Sequence, residues 1–143
     1  MTQLDADAAR DRLLTAHAET VDATLDCAEA VSAAFETVVD GNPATGDSRA
    51  LRANFRAAME RAGLVEELAG LLPDLVDAAG ETMAAPPVAS PPYVAVTSTG
   101  PVLRATLDEK RLVVRIEAFA VEDGLFVWND PTREEAVRVE VAT

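Results

Sequence analysis

Few side chains in this sequence could do covalent, acid–base or metal chemistry. There is one histidine, His17, and one cysteine, Cys27. Both fall on a stretch with helical periodicity, so about 15 Å of helix axis separates them and they cannot share an ion. Leu14 stands three positions before His17, where the Glu-x-x-His signature of carboxylate bundles needs a glutamate. One thiol and one imidazole also fall short of the nitrogen and sulfur ligands of a structural zinc. No Gly-x-Ser-x-Gly elbow, EF-hand loop, Gly-x-x-x-x-Gly-Lys loop or Gly-x-Gly-x-x-Gly loop occurs. We therefore assign no catalytic residue, no metal ligand and no cofactor. His17 lies mid-stripe on an apolar helical face, which predicts a partly buried structural imidazole. The alternative is a small enzyme or ligand-binding protein with a helix–sheet pocket near His17.

Binding chemistry offers more. Arg49, Arg52 and Arg56 stand at i, i+3 and i+7 on the exposed side of a predicted helix. Either they pair with Glu60 and the acidic flank of the first helix, or they dock a carboxylate-rich partner or a phosphate, which arginine forks suit. Phe126 and Trp128 share one face of a predicted strand. Packed on the helices they are core; on the outer face they would anchor a partner. Asp22, Asp26 and Glu29 share a helical face and could in principle hold Mg²⁺ or Ca²⁺, but in so acidic a chain they are expected to be solvated surface.

The acidity is pronounced. Over 143 residues, 25 Asp and Glu oppose 12 Lys and Arg, giving a net charge of −13 and a pI near 4.3. Lys110 is the single lysine. Arginine in place of lysine, with carboxylates elsewhere, is what a high-salt solvent favours: in molar salt the Debye length falls to about 3 Å, and carboxylates repel weakly while holding water. Free duplex nucleic acid is a poor partner for this charge, because binding it depends on cations releasing counterions from phosphates. The N-terminal segment Met1 to Asp11 carries acidic residues and no apolar signal region, and no apolar run approaches the roughly 20 residues that span a bilayer. A single cysteine excludes an internal disulfide. These features predict a cytoplasmic protein.

The elements that must position these groups fall into two halves of one predicted domain, 1–143. Residues 1–82 read as helical, 83–92 as a stiff connector holding Pro86, Pro87, Pro91 and Pro92, and 93–143 as strands. A first helix is expected from Asp5 to Val39, burying Leu14, His17, Val21, Leu25, Ala28, Ser32, Phe35 and Val39, with Asp40-Gly41-Asn42-Pro43 ending it. Unbroken, it would run about 52 Å, against a globule about 37 Å across for this chain length. It must break, or its end must project toward a partner. A second helix begins at Asp47 or Ser48 and closes at Gly63; a third runs from Val65 to Gly80 and contains Pro73, which can split it. Strands are predicted at Tyr93–Ser98, Pro101–Leu107, Leu112–Val121, Leu125–Trp128 and Ala136–Ala142, with alternation that leaves one face wet. The expected fold is α+β: three helices, the first one long, layered on an antiparallel β-meander of four to five strands.

The run from Pro91 to Leu107, PPYVAVTSTGPVLRATL, followed by Arg111 to Arg115, RLVVR, resembles a small haloarchaeal family with a helical front and strands behind. The resemblance implies this fold and a salt-rich habitat and carries no catalytic motif. Charge, the oversized helix and the lack of catalytic residue types together predict a non-enzymatic protein-interaction module. Its partner is a protein or a second copy of itself, and neither membrane nor nucleic acid.

Overall fold

The computed structural model describes residues 3–143. The expected long helix is not one helix. Asp5 caps α1 (Ala6–Ala16), its carboxylate accepting from the Ala8 N–H at 3.0 Å. At His17 the backbone leaves helical geometry, with φ −123° and ψ 27°, and α2 (Ala18–Ser32) sets off in a new direction. The break answers the length problem: α1 lies on β8 and α4, and α2 turns to pack on α3. Leu13 and Val21, four residues either side of the break, are both fully buried.

The end of that prediction is also corrected. After α2 the chain forms β1 (Thr37–Val39) and β2 (Asn42–Thr45), paired antiparallel with Val39 opposite Asn42. Asp40 and Gly41, at φ 51° and 84°, make the two-residue hairpin turn with both φ values positive that Asp-Gly favours. Val38 and Val39 are β-branched, and a pleated strand suits them better than a helix turn. Asn42 and Pro43 therefore belong to a strand and do not terminate a helix. The helical half thus contains a hairpin, and its partner strand comes from the other end of the chain.

The remaining helices follow the sequence more closely. Asp47 caps α3 (Ser48–Arg61), accepting from Ala50 N–H at 3.0 Å, and Gly63 at φ 72° separates it from α4 (Leu64–Ala78). Pro73 does not split α4. Its missing N–H and ring clash cost about 3 kcal/mol. Leu68, Leu72, Leu75 and Val76 are fully buried on both sides of it, at about 1.5–3 kcal/mol for each side chain removed from water, which outweighs the break. With the short α5 (Arg133–Ala136), capped by a reciprocal Thr132–Glu135 box, the described residues form five helices where three were expected.

The predicted single meander is two four-stranded antiparallel sheets. One has the order β3 (Val94–Val96), β4 (Pro101–Leu107), β5 (Lys110–Ile116), β8 (Val137–Ala142). The other joins β1 and β2 to β7 (Leu125–Val127) and β6 (Ala120–Glu122). The predicted strand Leu112–Val121 is cut at Glu117–Phe119. There Glu117 N–H donates to Ala136 O, and Ala118 and Phe119 N–H both donate to Thr99 O at 2.8 and 3.1 Å. These bonds satisfy the backbone where it leaves one sheet for the other. Leu103, Leu112, Val114 and Ile116 line the buried face of the first sheet against the helices, within one apolar core.

Candidate functional site

Arg49, Arg52 and Arg56 stand together on the outward side of α3. The same helix sends Leu51, Phe55 and Met59 into the core, so the periodicity that buries these three forces the arginines outward. They line a groove of about 370 Å³ that is closed on one side by Val96 of β3. Arg56 is tied to Glu60, Nε to Oε1 at 2.8 Å. Arg49 and Arg52 have no ion pair or side-chain hydrogen bond among the described residues. The expected pairing within the molecule therefore takes up one of the three and leaves two guanidinium groups open. Ser48 and Ser98, whose hydroxyls meet at 2.7 Å, fix the start of α3 against the end of β3 and so fix the groove wall.

A second cationic surface was not apparent from helical spacing, and strand pairing creates it. Val102 lies opposite Arg115 and Arg115 opposite Arg138; Arg104 lies opposite Val113 and Val113 opposite Glu140; Thr106 lies opposite Arg111. Arg104, Arg111, Arg115 and Arg138 therefore share the outer face of the first sheet, around a Val113 that is buried among them. Arginines directly opposite one another destabilise a ladder. Here carboxylates relieve them: Arg115 pairs with Glu140, and Arg138 Nε donates to Glu117 Oε2 at 2.9 Å. The alternation of each strand was legible, but the chain order of β8 beside β5 was not.

Phe126 and Trp128 do share a face, and that face turns inward. Trp128 is buried and meets Phe119 edge-on at 6.0 Å; Phe126 is half-buried against the same core. Neither is the exposed anchor that would recruit a partner through a projecting ring.

His17 reaches across to α4, its Nε2 lying 2.6 Å from Asp74 Oδ2, and Arg12 Nε donates to the same oxygen at 2.7 Å. The hydrogen bond from Arg12, then that from His17, holds the Asp74 carboxyl below its ordinary value. This constellation pins the α1–α2 break onto α4. The five cavities described in the chain are lined by other residues. Replacing Asp74 with asparagine is expected to cost less than about 1 kcal/mol at pH 7, because both partners are open to solvent that screens the pair. A depressed carboxyl contributes stability above its unfolded pKa and loses it as the pH falls through the lower folded value. Urea midpoints measured from pH 7 down to pH 2 should therefore converge for the two proteins at the acid end. A constant gap would remove Asp74 ionisation from the account.

Cys27 is half-buried. Burial, then the charge of Asp26, pushes its thiol up, so it is held in the unreactive protonated form. Among the described residues no three histidine, cysteine or carboxylate side chains come together as a metal-binding group. No helix of the described chain is long and apolar enough to cross a membrane.

A family model described as a domain of unknown function, DUF7988, matches residues 7–142. The chain belongs to this family. The match runs from α1 through β8, so the two sheets and the hairpin between α2 and α3 all lie within the family's domain. No curated protein and no solved structure matches the chain.

Proposed function

We propose that this member of the DUF7988 family is a non-enzymatic protein-interaction module of a salt-adapted, haloarchaeal-type cytoplasm, and that it docks the acidic surface of a second copy of itself through the arginine groove on α3. The oversized helix no longer motivates self-association, since it breaks at His17. The supporting observation is that Arg49 and Arg52 are open in a chain of net charge −13. Arg12, Arg133 and Arg138 have found carboxylates, and Arg61, Arg104 and Arg111 are as open as Arg49 and Arg52 among the described residues; what marks Arg49 and Arg52 is that they share one groove beside Val96. Charge complementarity selects the occupant: a second copy offers carboxylates on α2 and in α5 that carry no ion pair among the described residues, among them Asp26, Glu29 and Glu134.

High salt does not abolish such a contact. Screening acts on separated exposed charges, whereas bidentate guanidinium–carboxylate pairs at hydrogen-bond distance keep much of their strength when partly shielded from water. The Arg133–Asp22 fork, at 2.8 and 2.6 Å, is an intramolecular example.

Light scattering in ~3 M KCl, where the surface is screened, tests this. The unaltered chain is expected to associate between micromolar and millimolar concentration, and Arg49→Glu/Arg52→Glu to remain monomeric with unchanged circular dichroism. The same samples should lose cooperativity of unfolding when the salt is removed. An unaltered chain that stays monomeric throughout, or stability indifferent to KCl, would count against the corresponding half of the proposal.

A further inference from the structure

Among the described residues, β1 and β6 end one sheet and β3 and β8 end the other. An exposed edge invites pairing with another chain, and proteins blunt that hazard by keeping edge strands short. β1, β3 and β6 have three residues each, whereas β8 has six. Length does not protect this edge.

Glu117 N–H donates to Ala136 O at 2.8 Å, which turns Ala136 toward the end of β5. Alternation along an antiparallel ladder then points the backbone groups of Arg138, Glu140 and Ala142 toward β5, and those of Val137, Val139 and Val141 outward. Val137 is already occupied: Arg10 Nε donates to its carbonyl at 3.2 Å, and its own N–H donates to Arg133 O. The N–H and C=O groups of Val139 and Val141 have no partner among the described residues. Val141 is also 37% exposed, one of the few large apolar side chains left open. Arg138 and Glu140 do not shield the edge, because Glu117 and Arg115 hold them back on the β5 side.

We propose that β8 accepts an extended segment of a partner protein as an added antiparallel strand. The segment's backbone bonds to the four open groups of Val139 and Val141. Cross-strand pairing sets its chemistry: a basic residue opposite Glu140, an acidic one opposite Arg138, and apolar residues opposite the valines. A second copy of the chain fits less well. Setting Val139 against Val139 matches Arg138 to Glu140, but it brings Val141 to Val137, whose N–H is taken and whose carbonyl holds Arg10. Setting Val139 against Val141 avoids Val137 but places Glu140 directly opposite Glu140, and like charges there destabilise a ladder. A free segment meets neither obstacle. This edge is separate from the arginine groove, and either can fail without the other.

The probe is a fluorophore-labelled peptide, Val-Lys-Val-Glu-Val, followed by anisotropy in ~3 M KCl. Arg49→Glu/Arg52→Glu is the host protein, so the groove takes no part. Saturable binding is expected. In the added strand the peptide's valines turn their N–H groups toward β8, and its lysine and glutamate turn theirs away. N-methylation of the valines should therefore weaken binding at least about tenfold, while N-methylation of the lysine and glutamate should change it less than about twofold. Val141→Pro, added to the host, removes one outward N–H and spares the bonds to β5, a place where an edge strand tolerates proline. It should weaken binding about tenfold with circular dichroism unchanged, and the methylated pair gives the same comparison on an unaltered edge. No saturable binding, or equal binding of the two methylated peptides, overturns the added strand. A dimer of the host protein that the peptide disperses overturns the free segment and gives the edge to a second copy.

Discussion

Alanine at position 100 is expected to destabilise the protein by more than about 4 kcal/mol, at the extreme of single substitutions and comparable with the whole stability of a marginal domain, about 5–15 kcal/mol. A Cβ on Gly100 would lie 1.8 Å from the carbonyl oxygen of Ile116, 3.0 Å from its carbon and 3.3 Å from the nitrogen of Ala118. All three are backbone atoms, so no side chain can swing aside. Gly100 also has φ +152°, where an L-residue is strained. Relieving the clash means separating the β3–β4 turn from the end of β5, which breaks the paired bonds from Ala118 and Phe119 to Thr99 O and frees the crossing between the sheets. Gly41→Ala is the comparison. Gly41 has φ +84° but nothing within 4 Å of an added Cβ, so it should cost only about 1 kcal/mol. Urea unfolding followed by circular dichroism measures both, and similar midpoints for the two variants would show that the close approach at Gly100 is not what holds the crossing.

Phe119→Ala should cost about 3–5 kcal/mol, the range for truncating a buried aromatic. Phe119 is 2% exposed and stands where three elements converge: its ring lies 5.6 Å from Phe35, 5.5 Å from Phe55 in an edge contact and 6.0 Å from Trp128. Phe35 precedes the hairpin, Phe55 comes from α3 and Trp128 follows β7. The ring thus joins the second sheet to the helices, and among the described residues no other aromatic ring meets all three. Its removal leaves a cavity that backbone cannot fill, because Phe119 N–H is tied to Thr99 O. Trp128 emission should shift to longer wavelength before global unfolding in denaturant, as the second sheet loosens first. A loss of under about 1 kcal/mol would place this site among surface substitutions and remove the ring from the account of how the sheets are joined.

The fold class could be read from the sequence because it rests on local periodicity. Leu51, Phe55 and Met59 recur at helical spacing and are fully enclosed. Leu112, Val114 and Ile116 alternate and are fully enclosed. The Asp47 cap and the turns at Gly63 and Asp123-Gly124 are set by residues within a few positions of themselves. The hairpin at Asp40-Gly41 was readable in the same way, but Asp-Gly-Asn-Pro serves equally as a helix stop. Only the β-branched residues before it and a partner strand more than eighty residues later, Phe126–Val127 against Ala44–Thr45, settle the choice.

Those long-range pairings mark what local chemistry could not decide. His17 meets Asp74 of α4, the arginine face of the first sheet requires β8 beside β5, and α5 is drawn onto α2 by Arg133 and Asp22. In each case residues at least 20 positions apart contribute to one feature, and no spacing rule along a single element describes it. From its own order of residues the chain determines which side chains turn inward and that its exposed face is acidic. Tertiary structure alone decides which charges find partners and which stay open, because pairing requires distances of a few ångströms that only the packed elements create.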